Sequence, residues 1–209
     1  NLSAYVKDGE FDYDNFGKDV QVAMRFLDNV IDDTHYFFEK NEKVAKDIRR
    51  TGLGILGLAD ALIKMKVRYG AEESLPVIRK IFETLRNNAY IASADIAKEK
   101  GSFPKFNKEK YLQGWHIKAL PQEIQDKIAK QGIRNAVLLT IAPTGTTSLI
   151  SGVSSGVEPV YEFEFIRRDR LGEHKMYHPL FDEWRQQNPA AKRPEYFASA
   201  NDLTPEDHV

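Results

Sequence analysis

Residues 137–159 read Val137-Leu138-Leu139-Thr140-Ile141-Ala142-Pro143-Thr144-Gly145-Thr146-Thr147-Ser148-Leu149-Ile150-Ser151-Gly152-Val153-Ser154-Ser155-Gly156-Val157-Glu158-Pro159. The run from Val137 to Ile141 is short, apolar and partly β-branched, which predicts a buried strand. Pro143 ends it, and the small residues Thr144, Gly145, Thr146, Thr147 and Ser148 lead into a helix that brings Leu149 and Ile150 onto an apolar face. A strand, a small-residue turn and a helix start leave several backbone N–H groups unpaired and pointing one way. Such a cluster attracts an anion, because the helix N-terminus carries partial positive charge and unused donors. Gly145 lets a ligand approach the backbone, and the hydroxyls add donors. The same residues also suit an ordinary capped turn, since Thr and Ser favour N-caps.

Composition narrows the classes of function. With 209 residues, 42% hydrophobic and 29% charged, the chain can bury a substantial core as one large domain or two small ones. The net charge of −1, from 30 basic and 31 acidic residues, gives no overall field for nucleic acid or an acidic membrane. No apolar run is long enough to span a bilayer and no signal-peptide pattern opens the chain, so the cytoplasm is the expected location. Cysteine is absent. Disulfides, thiolate metal sites and cysteine nucleophiles are therefore excluded from this stretch of polypeptide. Both ends are expected to be internal to something longer. The chain opens Asn1-Leu2-Ser3 without methionine, and it stops a few residues after a helix start at Thr204-Pro205.

Outward from the central stretch the pattern is mostly helical. Asp8-Gly9 signals a turn after a short apolar segment. Phe16, Val20, Ala23, Leu27 and Val30 predict a helix over 16–38, followed by a charged connector or solvated face over 40–50. Gly52-Leu53-Gly54-Ile55-Leu56-Gly57 is a literal G-x-G-x-x-G, but the residues before it are polar and helix-prone, where a dinucleotide site needs a buried strand. A buried helix with closely packing glycines, continuing through Leu58, Ala59, Leu62 and Ile63, is expected instead. The clearest helix covers 74–100, with Leu75, Ile78, Phe82, Leu85, Ala89, Ala92 and Ile96 in one stripe, Pro76 in the first turn and Gly101 after the end. An irregular aromatic segment covers 103–115. A short helix from Pro121 to Gly132 follows. A weakly alternating strand over 160–166, a helix over 177–187 and a loop over 188–194 complete the pattern.

Other candidate chemistry is weaker. His174 and His178 stand four apart, as helical metal ligands would, but no third ligand is evident, and exposed loop histidines are the competing reading. Asp32-Asp33 and Glu72-Glu73 are adjacent pairs that do not share a helix face, and they read as surface charge. Ser148, Ser151, Ser154 and Ser155 are nucleophiles by type only, without a nucleophile elbow. Arg167, Arg168 and Arg170 can assist an anion or form a plain surface cluster.

The run from Arg134-Asn135-Ala136 through Pro143-Thr144-Gly145-Thr146 and Ser154-Ser155-Gly156-Val157-Glu158-Pro159 closely resembles the large catalytic subunit of ribonucleotide reductases, and looks most like its adenosylcobalamin-dependent, class II form. Arg49-Arg50-Thr51-Gly52-Leu53-Gly54-Ile55-Leu56-Gly57-Leu58-Ala59-Asp60 is similar to the family's glycine-rich helix. Arg25-Phe26-Leu27-Asp28-Asn29-Val30-Ile31-Asp32, Ser199-Ala200-Asn201-Asp202 and His208-Val209 fit as well. The resemblance covers essentially the whole chain in order.

The resemblance implies an α/β fold, part of a ten-stranded α/β barrel, with this portion mainly α-helical with a few strands and residues 1–209 forming one piece of the catalytic barrel domain. It implies that Pro143, Thr144, Gly145, Thr146, Thr147 and Ser148 bind the phosphates of a ribonucleotide substrate through main-chain N–H groups. It further implies adenosylcobalamin as the cofactor of the full enzyme and an external thiol reductant such as thioredoxin. A homodimer is one expected assembly, and neither nucleic acid nor membrane is an expected partner. The family's chemistry uses a thiyl radical on a finger-loop cysteine, with a cysteine pair as reductant. This chain has none of them, so no catalytic residue is assigned to it and it is expected to be inactive alone. Two alternatives stay open: a class I-type enzyme whose radical comes from a separate metal-containing subunit, and a non-catalytic helical binding module.

Overall fold

A computed structural model describes residues 1–170 and 172–208, and for Arg167, Asp169 and His208 the backbone alone. The elements in chain order are β1 (Val6–Lys7), β2 (Glu10–Phe11), α1 (Tyr13–Asp33), α2 (Glu39–Ile48), α3 (Leu58–Lys64), α4 (Ser74–Lys100) and α5 (Lys108–Leu112). They continue with α6 (Trp115–Lys118), α7 (Gln122–Gln131), α8 (Gly145–Ser151), β3 (Glu164–Asp169), β4 (Gly172–Tyr177) and α9 (Pro179–Gln187). The described chain is thus mainly helical, with two antiparallel two-stranded sheets, β1–β2 and β3–β4. Among the described residues no helix is long and apolar enough to cross a membrane. Two compact units divide it: Asn1–Asp12, Gly54–Lys80 and Ile141–Val209 in the first, Tyr13–Leu53 and Ile81–Thr140 in the second.

Helix α4, whose residues from Ile81 onward belong to the second unit, has the bounds that its stripe predicts, because a long apolar periodicity ends at a left-handed Gly101. Its core contribution comes from Ile81, Leu85, Ala89, Ala92 and Ile96. Leu75 is exposed. Helix α1 stops at Asp33, short of the expected 38. Its buried face is Phe16, Gly17, Val20, Met24, Asp28 and Ile31, whereas the predicted Val30 is exposed. The stripe is rotated because a carboxylate, Asp28, takes a core position that apolar periodicity passes over. The charged segment expected as a connector contains a regular helix, α2, with no buried residue. Lys43–Asp47 and Lys46–Glu42 pairs at i,i+4 line its exposed face.

The segment 137–141 is not a regular strand. Leu139 makes one parallel bridge, to Leu53, while Val137 and Ile141 are exposed. Among the described residues its backbone bonds run to 51–53, through Thr51 N to Val137 O (2.9 Å), Leu53 N to Leu138 O (3.0 Å) and Thr140 N to Leu53 O (3.0 Å). A strand buried on both faces needs neighbours on both edges, and the described residues supply one. The glycine-rich segment 52–57, expected as a buried helix, is not helical: Leu53 pairs with Leu139, Gly57 turns left-handed at φ 74°, and helix begins only at Leu58. It follows α2, so the strand that a dinucleotide fingerprint requires is absent there.

The first unit is centred on Ala59, Ile63, Val160, Phe163 and Phe197, with Tyr69, Leu180, Phe181, Trp184 and Tyr196 around them. Phe163 meets Phe197 edge-on at 5.4 Å and Phe181 at 5.5 Å. The strand expected over 160–166 starts later, at Glu164, because Val160 pairs singly with Ser199. The terminal helix start is a 3-10 turn, Pro205–His208, in which Thr204 N donates to Asp207 Oδ2 at 2.8 Å. Val209, part of the His208-Val209 match, lies outside the described residues.

Candidate functional site

The six residues singled out from sequence sit where the chain leaves its extended course and enters α8. Pro143 precedes the helix, Thr144 is its N-cap, and Gly145, Thr146, Thr147 and Ser148 make its first turn. Thr144 adopts the left-handed conformation, φ 52°, and its side chain does not cap the helix. Its Oγ1 instead accepts the N–H of Gly156 at 2.7 Å. Pro143, Gly145, Thr146 and Thr147 are exposed and Ser148 is buried. The Ser148 amide is taken by Thr144 O at 2.8 Å, and its hydroxyl donates to Gly145 O at 3.0 Å and meets Ser155 Oγ at 3.0 Å. The amides left without an intrahelical acceptor are those of the first turn, at Gly145, Thr146 and Thr147. A Cβ at Gly145 would meet nothing within 4 Å, so the space beside that amide is open.

The loop behind this turn is held from several sides. Ser154 O accepts from Gly57 N at 2.9 Å, and Ser154 N donates to Asp60 Oδ2 at 2.7 Å. Val157 O accepts from the Tyr69 hydroxyl at 2.8 Å. Gly156, φ 39°, has Glu158 Oε2 2.7 Å and Ala142 O 3.1 Å from where a Cβ would stand, and the close approach together with the positive φ disfavours any side chain there.

Asp60, on α3, is fully buried, and His178 at the start of α9 brings Nε2 to 3.1 Å from Asp60 Oδ1 with only 10% of its side chain exposed. The distance is that of an ion pair, but the atoms are off the hydrogen-bond line, and neither makes a well-aligned bond. Burial pushes the Asp60 carboxyl up, but the His178 contact and charge and the Ser154 N–H outweigh it and hold Asp60 below the usual carboxylate range. His178 is thus no exposed loop histidine. His174 lies on β4, so the helical i,i+4 arrangement expected of the two histidines does not form.

The remaining candidates resolve as structure. Arg168 is engaged by Glu173 at 2.7 Å across the β3–β4 hairpin, Arg170 is exposed, and the Arg167 side chain lies outside the described residues. Asp32 is not free surface charge: Arg49 Nη1 donates to it at 2.8 Å. Ser148 and Ser154 are buried within the turn and its loop. Among the described residues no group of three His, Cys, Asp or Glu side chains is placed to hold a metal ion. Sequence reasoning missed Asp60, His178, Ser155 and Gly156 as parts of the site's scaffold. Gly156 inside a small-residue run was the one local signal available for them.

Residues 1–209 match the family described as "Ribonucleotide reductase, barrel domain", and the chain belongs to that family. A vitamin B12-dependent ribonucleoside-diphosphate reductase of Thermoplasma acidophilum is 37% identical over 187 residues, which cover 88% of this chain and 22% of that protein. Its namesake from Mycobacterium tuberculosis is 34% identical over 184 residues, 87% of this chain and 24% of that protein. A ribonucleoside-diphosphate reductase large chain from Schizosaccharomyces pombe is 30% identical over 188 residues, covering 85% of this chain and 23% of its own length. The chain spans less than a quarter of the length of these relatives.

Proposed function

We propose that this chain is the part of a ribonucleotide reductase catalytic barrel, ten-stranded in the complete protein, that holds the substrate's phosphates. The observation that carries the reading is the open array of amides at Gly145, Thr146 and Thr147, backed by Pro143, Thr144 and Ser148, in a chain of this family. Donors fixed by backbone geometry suit a phosphate, because its oxygens accept several hydrogen bonds without any side chain having to be ordered. The chain's own contribution is to bind and orient. The ribonucleotide is a di- or triphosphate, and the names of the relatives favour the diphosphate.

Removal of the ribose hydroxyl, with oxidation of a thiol pair resupplied by an external reductant such as thioredoxin, falls to cysteines, of which this chain has none. The 209-residue chain alone is accordingly expected to form no deoxynucleotide. Adenosylcobalamin, favoured as cofactor by the B12-dependent relatives, would supply the radical in the complete enzyme. The cytoplasm is the proposed setting.

Relatives named as a subunit alpha and a large chain favour a second reading, in which another subunit supplies the radical. Turnover of the complete protein with adenosylcobalamin and no partner separates the two. The phosphate site itself is tested by titrating ribonucleotide against the complete polypeptide and its Gly145→Pro variant. Proline removes one amide and disfavours the left-handed Thr144 before it. Weaker binding supports the site, and unchanged binding refutes it.

A further inference from the structure

We propose that Asp60 is a positioning residue for the turn at 143–148, acting through the loop at 154–156. The proposal rests on the phosphate-binding reading of that turn. A carboxylate as buried as Asp60 is costly unless its charge and lone pairs are met. Here one oxygen takes the Ser154 N–H at 2.7 Å and the other faces His178 at 3.1 Å. Asp60 thereby fixes the first residue of a three-residue span whose other two hold the turn. Ser155 Oγ lies 3.0 Å from Ser148 Oγ, and Gly156 N donates to Thr144 Oγ1 at 2.7 Å.

The second of these contacts matters because a left-handed threonine is strained and persists only where its surroundings hold it. Thr144 sets the direction in which the next three amides point. If the loop at 154–156 shifts, Thr144 loses its bond from Gly156, and the amides lose their common aim. Recognition by several fixed donors tolerates displacements of only about 0.5 Å. Asp60 touches neither the turn nor any reacting group, so its loss acts on substrate binding and leaves the chemical step alone.

The test is steady-state kinetics of the complete reductase polypeptide with its ribonucleotide, comparing Asp60→Ala, Asp60→Asn and Ser155→Ala with Gly145→Pro. Asp60→Ala is expected to raise KM about tenfold with kcat held within about twofold. Asp60→Asn keeps an oxygen for the Ser154 N–H and is expected to recover most of that loss. Ser155→Ala lies outside the buried carboxylate pair, so it reports on the loop even if Asp60→Ala does not fold, and it is expected to raise KM several-fold. An unchanged KM in Ser155→Ala, or a loss confined to kcat in the Asp60 variants, overturns the proposal. If Gly145→Pro raises KM while Ser155→Ala does not, the loop linkage alone fails. If Gly145→Pro also leaves KM unchanged, the phosphate reading beneath it fails.

Discussion

Arg49 Nε donates to Asp28 Oδ1 at 2.8 Å in the interior of the helical unit, with the two side chains 4% and 0% exposed. Arg134 Nε takes the other oxygen at 3.1 Å, and Asn135 Nδ2 donates to Oδ1 at 2.9 Å. Asn135 in turn accepts from Ser93 Oγ at 2.8 Å, and Arg49 reaches Asp32 through Nη1 and Nη2 at 2.8 and 2.9 Å. One carboxylate therefore ties α1, the end of α2 and the segment after α7 together.

Asp28→Ala leaves the buried Arg49 guanidinium with Asp32 as its remaining carboxylate and takes an acceptor from Arg134 and Asn135. The expected cost is about 3 kcal/mol of unfolding free energy, read from urea denaturation. Asp28→Asn keeps the shape but loses the charge, and should fall between that variant and the parent. A loss under about 1 kcal/mol for Asp28→Ala, the level of an ordinary exposed ion pair, would show that the network does not hold this unit.

Acid should weaken the protein through two carboxylates. Asp60 lies below its ordinary range because His178 and the Ser154 N–H outweigh its burial, and Asp32 does so chiefly through its bond from Arg49. Each binds fewer protons folded than unfolded, so stability rises with pH between the two values. The contribution is fully present above the ordinary aspartate value of about 3.9 and disappears as pH falls through the lower folded value. Denaturation midpoints should drop as pH goes from about 5 to about 3. They should drop less steeply in Asp60→Asn, and parallel slopes in variant and parent would contradict the assignment.

Self-association is expected of the 209-residue chain, with a homodimer as its simplest form. Leu149 is 80% and Ile150 84% exposed, adjacent on α8, with Ile141 at 66% nearby in sequence. Large apolar side chains exposed to water in this way promote association. Sedimentation velocity should show species larger than monomer, and Leu149→Glu with Ile150→Glu should shift them toward monomer. A monomeric parent at high concentration would contradict this.

Helix α4 was legible to the residue because Leu85, Ala89, Ala92 and Ile96 repeat through it and Gly101 closes it. Helix α2 was not, because it buries nothing and so has no apolar stripe to read. The segment around Leu139 looked like a strand because composition reports affinity for a sheet, while a sheet also needs paired neighbours, and among the described residues only Leu53 bridges to Leu139. The start of α8 was legible from Pro143 and the small residues after it. What holds it was not: Asp60 meets Ser154 and His178 only after folding, and no local pattern marks a carboxylate and an imidazole that pair across such separations.

The measurement that bears most directly on the phosphate site is ribonucleotide affinity in the complete polypeptide carrying Gly145→Ala, taken together with its thermal midpoint. A Cβ at residue 145 meets no protein atom within 4 Å, and alanine favours helix over glycine, so the fold should be unchanged or slightly more stable. The added methyl stands beside the open amides where a phosphate would lie. A dissociation constant raised about tenfold, equivalent to about 1.4 kcal/mol, with an undiminished midpoint is the result this account predicts. Equal affinity in the variant and the parent would contradict it.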